Sequence, residues 1–432
     1  MKRIAALGVG AALVLSLTLP AAAAGRTTFP DIQGHWAQAT VEKWASYGMV
    51  QGDAEADTFR PDDYLTRAEF AALLDRVIGY KEGDTLPYPD VDPQEWYVTS
   101  LAHLNAAGVI NGYLDGTIRP NEDVSRQEAA VMICRAFHIA PDPVHVHFLD
   151  RTWVDEWAEN YVGALHNLGV IQGYDGRFEP RHPITRAQAV TILDNLAGGV
   201  VAQAGVWGRN AEGSLLVNTA GVTLGHITVG QNLFVSEGVG DGEVSLSYTR
   251  VGGDVILHSG GAFRILSSST VDGGIIVDKY LEGDIRISSE SGKDDFRVSV
   301  NRADGQVVLE GSFDSVTVNC DAPVLLRKGT VKSLTVNASG AQVTVEKEST
   351  VSQAELTAEA KDTLLTVAGT VQALTTRAEA RVDNSGRLSK VTVAADGLVL
   401  DGTKPSSVTV EKGIDRPKDG KGNTVYGSGS GR

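Results

Sequence analysis

An internal repeat near the N-terminus constrains the fold of this chain more than any other feature. An aspartate, an arginine and a proline each recur at steps of 59 and 60 residues. They are Asp31, Asp90 and Asp150, then Arg67, Arg126 and Arg186, then Pro61, Pro120 and Pro180. A fixed period of this kind indicates one supersecondary unit repeated three times, with neighbouring units burying a shared core.

Each unit contains two segments with helical spacing of apolar residues. In the third copy, Trp157, Tyr161 and Leu165 share one stripe, and Gly169 is placed to end that helix. The second segment begins with a capping box, in which a hydroxyl and a Glu or Gln three residues later cap each other. The capping residues are Thr66 and Glu69, Ser125 and Glu128, and Thr185 and Gln188. We predict helical repeats at residues 29–80, 87–140 and 147–197.

The chain changes character from about Gly205, where Gly, Ser, Thr and Val dominate. Short alternating apolar segments recur every 17 to 20 residues, beginning at Gly311, Gly329, Ser349, Gly369 and Gly386. Alternation predicts strands with one buried face, and unequal steps fit the corners of a solenoid. We predict a right-handed parallel β-helix of about ten coils over residues 205–412. The alternative is a β-sandwich, whose hairpin turns would recur in register. The glycine-rich tail, 413–432, is predicted to be disordered.

Charge and hydropathy exclude several classes of protein. The chain has 38 Lys and Arg against 54 Asp and Glu, a net charge of -16, which argues against a nucleic-acid partner. Residues 1–24 begin with two basic residues and continue with an apolar run, which is typical of a secretory signal peptide. No later apolar stretch is long enough to span a bilayer. Two cysteines, Cys134 and Cys320, provide no disulfide framework. We expect a secreted protein without a membrane span.

The repeated arginine carries the chemical hypothesis. Arg67, Arg126 and Arg186 each stand in the first turn of a predicted helix, where a cation opposes the helix macrodipole. Three such placements predict an anion at each helix end, held jointly by the guanidinium and free backbone N–H groups. Pairing of the arginine with a neighbouring aspartate is the alternative.

The repeats closely resemble the S-layer homology domain. The matching strings include FPDIQGHWA and LTRAEF in the first unit, YPDVDPQEWYV and VSRQEA in the second, and FLDRTWVDEWAENYV and ITRAQA in the third. The resemblance implies an all-α-type, pseudo-threefold bundle whose grooves bind a pyruvylated secondary cell-wall polysaccharide. It also implies that the three arginines meet the pyruvyl carboxylate.

The same resemblance implies further groove residues. Those that would shape the grooves are Asp31, Asp90, Asp150, Gly52, Gly112 and Gly173. Trp36, Trp96 and Trp157 are candidates to stack on sugar, although their helical spacing favours the core. The first unit has Asp53 and Glu55 where the others have a Gly-Tyr pair, so we expect the first groove to bind most weakly.

We therefore predict a non-enzymatic protein of the cell wall or S-layer, anchored by its repeats and displaying the β-helix as a scaffold or interaction domain. The alternatives are a wall-anchored polysaccharide lyase or glycosidase, or a subunit of an S-layer lattice. The candidate catalytic residues of the predicted β-helix are Lys293, Asp294, Asp295 and Arg297. A charged turn explains this cluster better. His145 and His147 are weak metal candidates, while His226 and His258 stand alone; we predict neither metal nor cofactor.

We expect the two halves to unfold separately across a linker near Gly198 and Gly199.

Overall fold

The computed structural model describes residues 27–53, 56–83, 85–143, 148–292 and 295–426. The predicted signal peptide at residues 1–24 lies outside these ranges, as do the side chains of His145, His147, Lys293 and Asp294. Within the described ranges, no helix is long and apolar enough to cross a membrane.

The described part of the N-terminal region contains six α-helices, two in each repeat. They are α1 (Gln38–Ser46), α2 (Arg67–Ile78), α3 (Val98–Ala106), α4 (Arg126–Ala136), α5 (Glu156–Asn167) and α6 (Arg186–Ala197). Helices α2, α4 and α6 each begin at a capping box, with both of its hydrogen bonds present. Since the cap fixes where each second helix starts, the arginine occupies the same position, N1, in all three repeats.

The three repeats close into a ring. Helix α2 packs on α3, α4 packs on α5, and α6 returns to pack on α1. At the centre, the N–H of Leu65 donates to Ile184, that of Ile184 to Val124, and that of Val124 to Leu65, at 2.9 to 3.1 Å. All three side chains are buried. The predicted pseudo-threefold bundle is confirmed.

The C-terminal region consists of strands. Within the described residues they are β1 (Val200–Val201), β2 (Gly205–Trp207), β3 (Leu215–Val217), β4 (Val222–Gly225), β5 (Thr228–Val229), β6 (Leu233–Val235), β7 (Glu243–Ser247), β8 (Arg250–Val251), β9 (Val255–Leu257), β10 (Ala262–Leu266), β11 (Thr270–Val271), β12 (Ile275–Glu282), β13 (Ile285–Ser289), β14 (Arg297–Asp304), β15 (Val307–Val318), β16 (Val324–Val336), β17 (Gln342–Leu356), β18 (Thr363–Val367), β19 (Thr370–Thr376), β20 (Ala380–Asn384), β21 (Arg387–Val393), β22 (Val399–Gly402) and β23 (Ser407–Val410).

These strands form a parallel β-solenoid of about 11 turns, close to the ten predicted. Every pairing between the strands named above is parallel, which rules out the β-sandwich. The repeat read from the sequence sets the register. One inward column runs Val316, Leu334, Ala354, Leu374, Val391 and Val408 on successive coils. The parallel β-helix prediction is confirmed.

The C-terminal tail is ordered over part of the segment predicted to be disordered. The N–H of Leu400 donates to the carbonyl of Lys418, and Val425 is buried in the solenoid core. Residues 413–426 thus cover the last coil, because the open end of a solenoid needs a cap over its apolar interior. Residues 427–432 lie outside the described part of the chain.

The helical bundle and the solenoid share a buried interface, contrary to the expectation of few contacts. Strand β1 begins three residues after α6 ends, so no linker separates the halves. Leu216 and Phe234 of the solenoid belong to the hydrophobic core of the bundle, and Phe234 meets Phe137 edge-on with ring centroids 6.1 Å apart. The hydroxyl of Ser236 donates to the carbonyl of Ile78 at 2.8 Å. We therefore expect the halves to unfold as one cooperative unit rather than separately.

Replacing Asn218 with Ala tests this interface. Its buried amide donates to the carbonyls of Arg76 and Val77 at 3.0 and 2.9 Å, in the last turn of α2, where carbonyls have no partner within the helix. Leaving them unpaired is expected to lower the free energy of unfolding by about 1–3 kcal/mol, measured by urea denaturation. The matched control is Asn319→Ala, which removes exposed amide bonds to Asn301 and from Asn337 and should change stability by less than about 0.5 kcal/mol. Equal effects of the two substitutions would contradict a stabilising interface.

Candidate functional site

The repeated aspartates hold the loop that follows the first helix of each repeat. The carboxylate of Asp31 accepts hydrogen bonds from the N–H groups of Phe59 and Arg60 at 2.9 and 2.6 Å. Asp90 does the same for Ile118 and Arg119, and Asp150 for Phe178 and Glu179. The second residue of each pair has a positive φ, of 57°, 53° and 56° respectively, and this conformation is unfavourable for residues other than glycine. The aspartates therefore stabilise a strained loop.

The repeated arginines cross from one repeat to that loop in the next. The Nε of Arg67 donates to the carbonyl of Ile118 at 3.0 Å. Arg126 reaches Phe178 at 2.7 Å, and Arg186 reaches Phe59 at 2.8 Å, so that the third repeat closes on the first. Each accepting carbonyl belongs to a residue whose N–H the aspartate holds. One aspartate, one loop carbonyl and one arginine thus form a staple at each of the three junctions.

The helix ends do not offer free backbone N–H groups, so this part of the sequence hypothesis was wrong. The N–H of Arg67 donates to Glu122 and that of Ala68 to Pro120, both at 2.9 Å. The corresponding groups of α4 donate to the carbonyls of His182 and Pro180, and those of α6 to Asp63 and Pro61. Carbonyls of the next repeat therefore occupy the positions where an anion was expected, and they balance the partial positive charge of the helix end.

The outer nitrogens of the three guanidinium groups have different partners. Arg67 is 4% exposed and donates to Glu128 at 3.0 Å, forming an ion pair with a carboxylate that is partly exposed. Arg126 donates to the neutral amide oxygen of Gln188 at 2.8 Å. Arg186 donates to the carbonyl of Gln51 at 3.0 Å and, within the described residues, has no carboxylate within ion-pairing distance. Among the described residues, Arg67 is thus the one of the three arginines that forms a direct ion pair with a carboxylate.

Tyr113 completes the closed site around Arg67. Its hydroxyl donates to Glu128 at 2.7 Å, and the Arg67 guanidinium lies 4.8 Å from the centre of its ring. Burial and the bond to Glu128 raise the pKa of Tyr113 to about 12, so it remains a donor at neutral pH. Burial alone would raise the pKa of Glu128, but the bonds from Ser125 and Tyr113 and the charge of Arg67 lower it.

A cavity of about 160 Å³ lies beside Arg186, where the third repeat meets the first. The residues around it that carry polar or aromatic groups are Gln51, Phe59, Glu69, Arg76, Trp96 and Arg186. They come from all three repeats, because Trp96 belongs to the second. Two guanidinium groups, one carboxylate and one indole therefore border a single concave site.

The tryptophans predicted to favour the core are exposed. Trp36, Trp96 and Trp157 are 63%, 64% and 51% exposed, whereas Trp44 is fully buried and donates to Asp194 at 2.7 Å. Trp36 and Trp96 precede the first residues of α1 and α3, so the helical stripe read from their spacing does not include them. Exposed indoles offer flat apolar faces to a ligand.

The three loop glycines permit close packing within each repeat. A Cβ at Gly52 would lie 2.5 Å from the carbonyl oxygen of Thr58, and one at Gly112 would lie 2.2 Å from the ring of Tyr88. Gly173 has a φ of 73° and a comparable approach to Arg177. These glycines shape the loops beside the arginines through their backbone.

Sequence reasoning missed Arg76. Arg76 and Arg135 stand nine residues after Arg67 and Arg126, and each donates to the carbonyl that follows the first helix of its own repeat, Met49 and Val109. In the third repeat Asn195 takes this place, bonding to Val170. Arg76 and Arg135 are separated by the repeat period, and this recurrence in the sequence could have identified the position.

Substitution of the arginines is expected to affect stability unequally. Replacing Arg67 with Ala leaves Glu128, whose side chain is 19% exposed, without its cation. Removing one partner costs about 3–5 kcal/mol in fully buried pairs, so we expect about 3–4 kcal/mol here. Replacing Arg126 leaves only the neutral Gln188 and a carbonyl, so we expect about 1–3 kcal/mol. Urea denaturation of both variants measures the difference, with exposed Arg151→Ala as the control. Equal losses for Arg67 and Arg126 would contradict the role assigned to the Glu128 ion pair.

The low pKa of Glu128 predicts a pH dependence. A carboxyl group whose pKa is lower in the folded state contributes stability above its unfolded pKa of about 4.3 and loses it as the pH falls through the folded value. Glu128→Gln keeps an acceptor for Arg67 but cannot titrate. The unfolding free energy of the variant should therefore decline less than that of the wild type below about pH 4.5. Parallel slopes in pH-dependent urea melts would contradict the assignment.

Comparison with known proteins agrees with this geometry. Residues 28–71, 87–130 and 148–190 match the S-layer homology domain. Over 188 residues the chain is 29% identical to the surface-layer 125 kDa protein of Lysinibacillus sphaericus, covering 42% of this chain and 16% of that protein. Over 196 residues it is 26% identical to S-layer protein EA1 of Bacillus anthracis, covering 44% and 22%.

An enzyme is also among the relatives. Over 177 residues the chain is 31% identical to an amylopullulanase of Thermoanaerobacterium thermosulfurigenes, covering 39% of this chain and 9% of the enzyme. The chain thus spans less than a quarter of the length of each of these three relatives. S-layer homology domains are wall-anchoring modules, which indicates a cell-surface location. The helical part of this chain consists of three S-layer homology domains, followed by a β-solenoid.

Proposed function

We propose that the three repeats anchor the protein non-covalently by binding an anionic, pyruvylated polysaccharide of the cell wall. The solenoid is then displayed on the surface as a scaffold or interaction domain without catalytic activity. The observation that carries this proposal is the cavity between the third and first repeats, where Arg186 and Arg76 border the exposed indole of Trp96.

The chemistry of this cavity suits an acidic sugar. Burial lowers the pKa of Arg186, which reflects partial removal of its charge from water. Its bonds to the carbonyls of Phe59 and Gln51 orient the guanidinium without neutralising it. A carboxylate on the ligand would pair with the Arg186 guanidinium through charge-assisted hydrogen bonds in a cavity that also contains Glu69, and Trp96 offers a face for the sugar ring.

The three junctions are not equivalent in this proposal. The Arg67 junction is closed, because the guanidinium already pairs with Glu128 and lies over the ring of Tyr113. At the Arg126 junction the partner of the guanidinium is the neutral amide of Gln188 rather than a carboxylate. We assign the principal binding site to Arg186. In the first repeat, where the sequence suggested weak binding, the carboxylate of Asp53 accepts the N–H of Ala56 within its own turn.

The surface of the solenoid supports a scaffold rather than a glycosidase. Glu310 lies 3.7 Å from Arg286 and 3.2 Å from Arg327, and Arg327 in turn lies 3.9 Å from Glu346 on the next coil. Acidic residues here alternate with cations from coil to coil, whereas glycoside hydrolysis requires two carboxyl groups facing one substrate. In the charged turn weighed as catalytic, Arg297 donates to the carbonyls of Asp272 and Gly273, which is a structural role.

Wall binding by variants of the principal site tests the proposal. Trp96→Ala and Arg186→Lys should each weaken co-sedimentation of the protein with purified cell walls. For Arg186→Lys we expect about a tenfold loss, because a point charge cannot reproduce the fork of the guanidinium. The matched controls are Trp153→Ala, which removes an indole that is 60% exposed but does not border the cavity, and Arg151→Lys.

Two further comparisons define the ligand. Walls stripped of polysaccharide should not retain the wild-type protein, and polysaccharide lacking its pyruvyl groups should bind at least about tenfold more weakly. Equal binding to stripped peptidoglycan would contradict polysaccharide anchoring. Normal binding by the folded Trp96 variant, together with normal binding by the Arg186 variant, would exclude this cavity as the site.

A further inference from the structure

Three side chains that can bind a metal ion meet where the bundle contacts the solenoid. They are His138, which follows α4, Glu237, in a short 3₁₀ helix between β6 and β7, and His258, which follows β9. One ligand atom from each lies within 4.8 Å of the other two. His258 stands alone in the sequence, because the residues that surround it in the structure come from distant parts of the chain.

The carboxylate of Glu237 lacks a partner for one of its oxygens. The side chain is 5% exposed, and its Oε1 forms a short hydrogen bond with the Nε2 of His138. Its Oε2 is buried and has no hydrogen-bond partner among the described residues. A buried, unsatisfied carboxylate oxygen costs several kcal/mol if the carboxylate is charged, so its retention points to a cation that would complete the site.

Aromatic contacts fix the two imidazoles. The ring of His138 stacks on Tyr280, with centroids 3.6 Å apart and the planes inclined by 11°. His258 is 4% exposed and stands at 74° to His138, with centroids 4.7 Å apart. Rotation of either ring is thus restricted, and ligands held in this way lose little conformational entropy when they bind a metal.

A cavity of about 380 Å³ opens beside the cluster and gives it access to solvent. His138, Glu237 and Tyr280 form part of its wall, together with Lys81 of the bundle and Gly240 of the solenoid. The cavity has room for a water molecule as a fourth ligand.

We propose that His138, Glu237 and His258 bind one divalent transition-metal ion of the Zn²⁺ class, which ties the second repeat to the solenoid. Two imidazoles and a carboxylate form a ligand set suited to Zn²⁺, with the fourth tetrahedral position left for water. Calcium and magnesium prefer sites made entirely of oxygen ligands, so they should not compete. The ion binds across the junction because one ligand comes from the bundle and two come from the solenoid.

The first experiment uses the full secreted chain, treated with a chelator and titrated calorimetrically with Zn²⁺. We expect saturable binding of one ion per chain, unaffected by a large excess of Ca²⁺. Binding to the folded state should raise the melting temperature with increasing Zn²⁺ concentration. Co²⁺ in place of Zn²⁺ should give the visible absorption of a tetrahedral site. Absence of saturable binding and of this spectrum in the wild type would overturn the proposal without recourse to any variant.

The second experiment assigns the ligands. Glu237→Gln and His138→Asn should each weaken Zn²⁺ binding by at least about a hundredfold, because loss of outer-shell partners alone costs 10–100-fold. His226→Asn is the matched control. His138 and His226 both have positive φ values, of 53° and 57°, which asparagine tolerates, and His226 is exposed. Melting in chelator verifies that each variant folds. Unchanged binding in the ligand variants, or an equal loss in the control, would contradict the assignment.

Discussion

The bundle depends on one interaction made three times: the guanidinium of each repeated arginine donates from its Nε to a loop carbonyl of the next repeat. The carbonyl is in position because an aspartate of its own repeat holds the two N–H groups of that loop and stabilises a residue with positive φ. The first two N–H groups of the arginine helix also donate to carbonyls of the next repeat. Because the third arginine reaches back to the first repeat, the ring closes and each repeat contacts both of the others.

This arrangement is compatible with the proposal that a structural arginine also binds a ligand. The Nε of each arginine is committed to the fold, whereas the terminal nitrogens point toward a junction whose other residues vary. Arg67 donates to a glutamate, Arg126 donates to a neutral amide, and Arg186 donates to carbonyls and lies over the ring of Phe59. Three copies of one motif can therefore differ in affinity without any change in the fold, since only the partner of the outer nitrogens differs.

The solenoid is covered at both ends. Residues 413–426 lie over its last coil, and the bundle packs against its first coils through Leu216 and Phe234. Asn218 and Ser236 satisfy carbonyls at the end of α2, so this contact is polar as well as apolar. A rigid junction would transmit the orientation of the bundle to the solenoid, which suits the proposed display of the solenoid on the cell surface. The proposed metal ion would add a further contact across that junction.

The sequence by itself determined the features that are local or periodic. The capping boxes placed the starts of three helices, and the 17- to 20-residue step placed Val316 and its successors in one column, because each coil repeats the environment of the one before it. Only the tertiary structure decided which partner each arginine meets, which tryptophans are exposed, and that His138 lies against Glu237, 99 residues further along the chain. These relations depend on how separate units pack, and neither spacing nor helical periodicity carries that information.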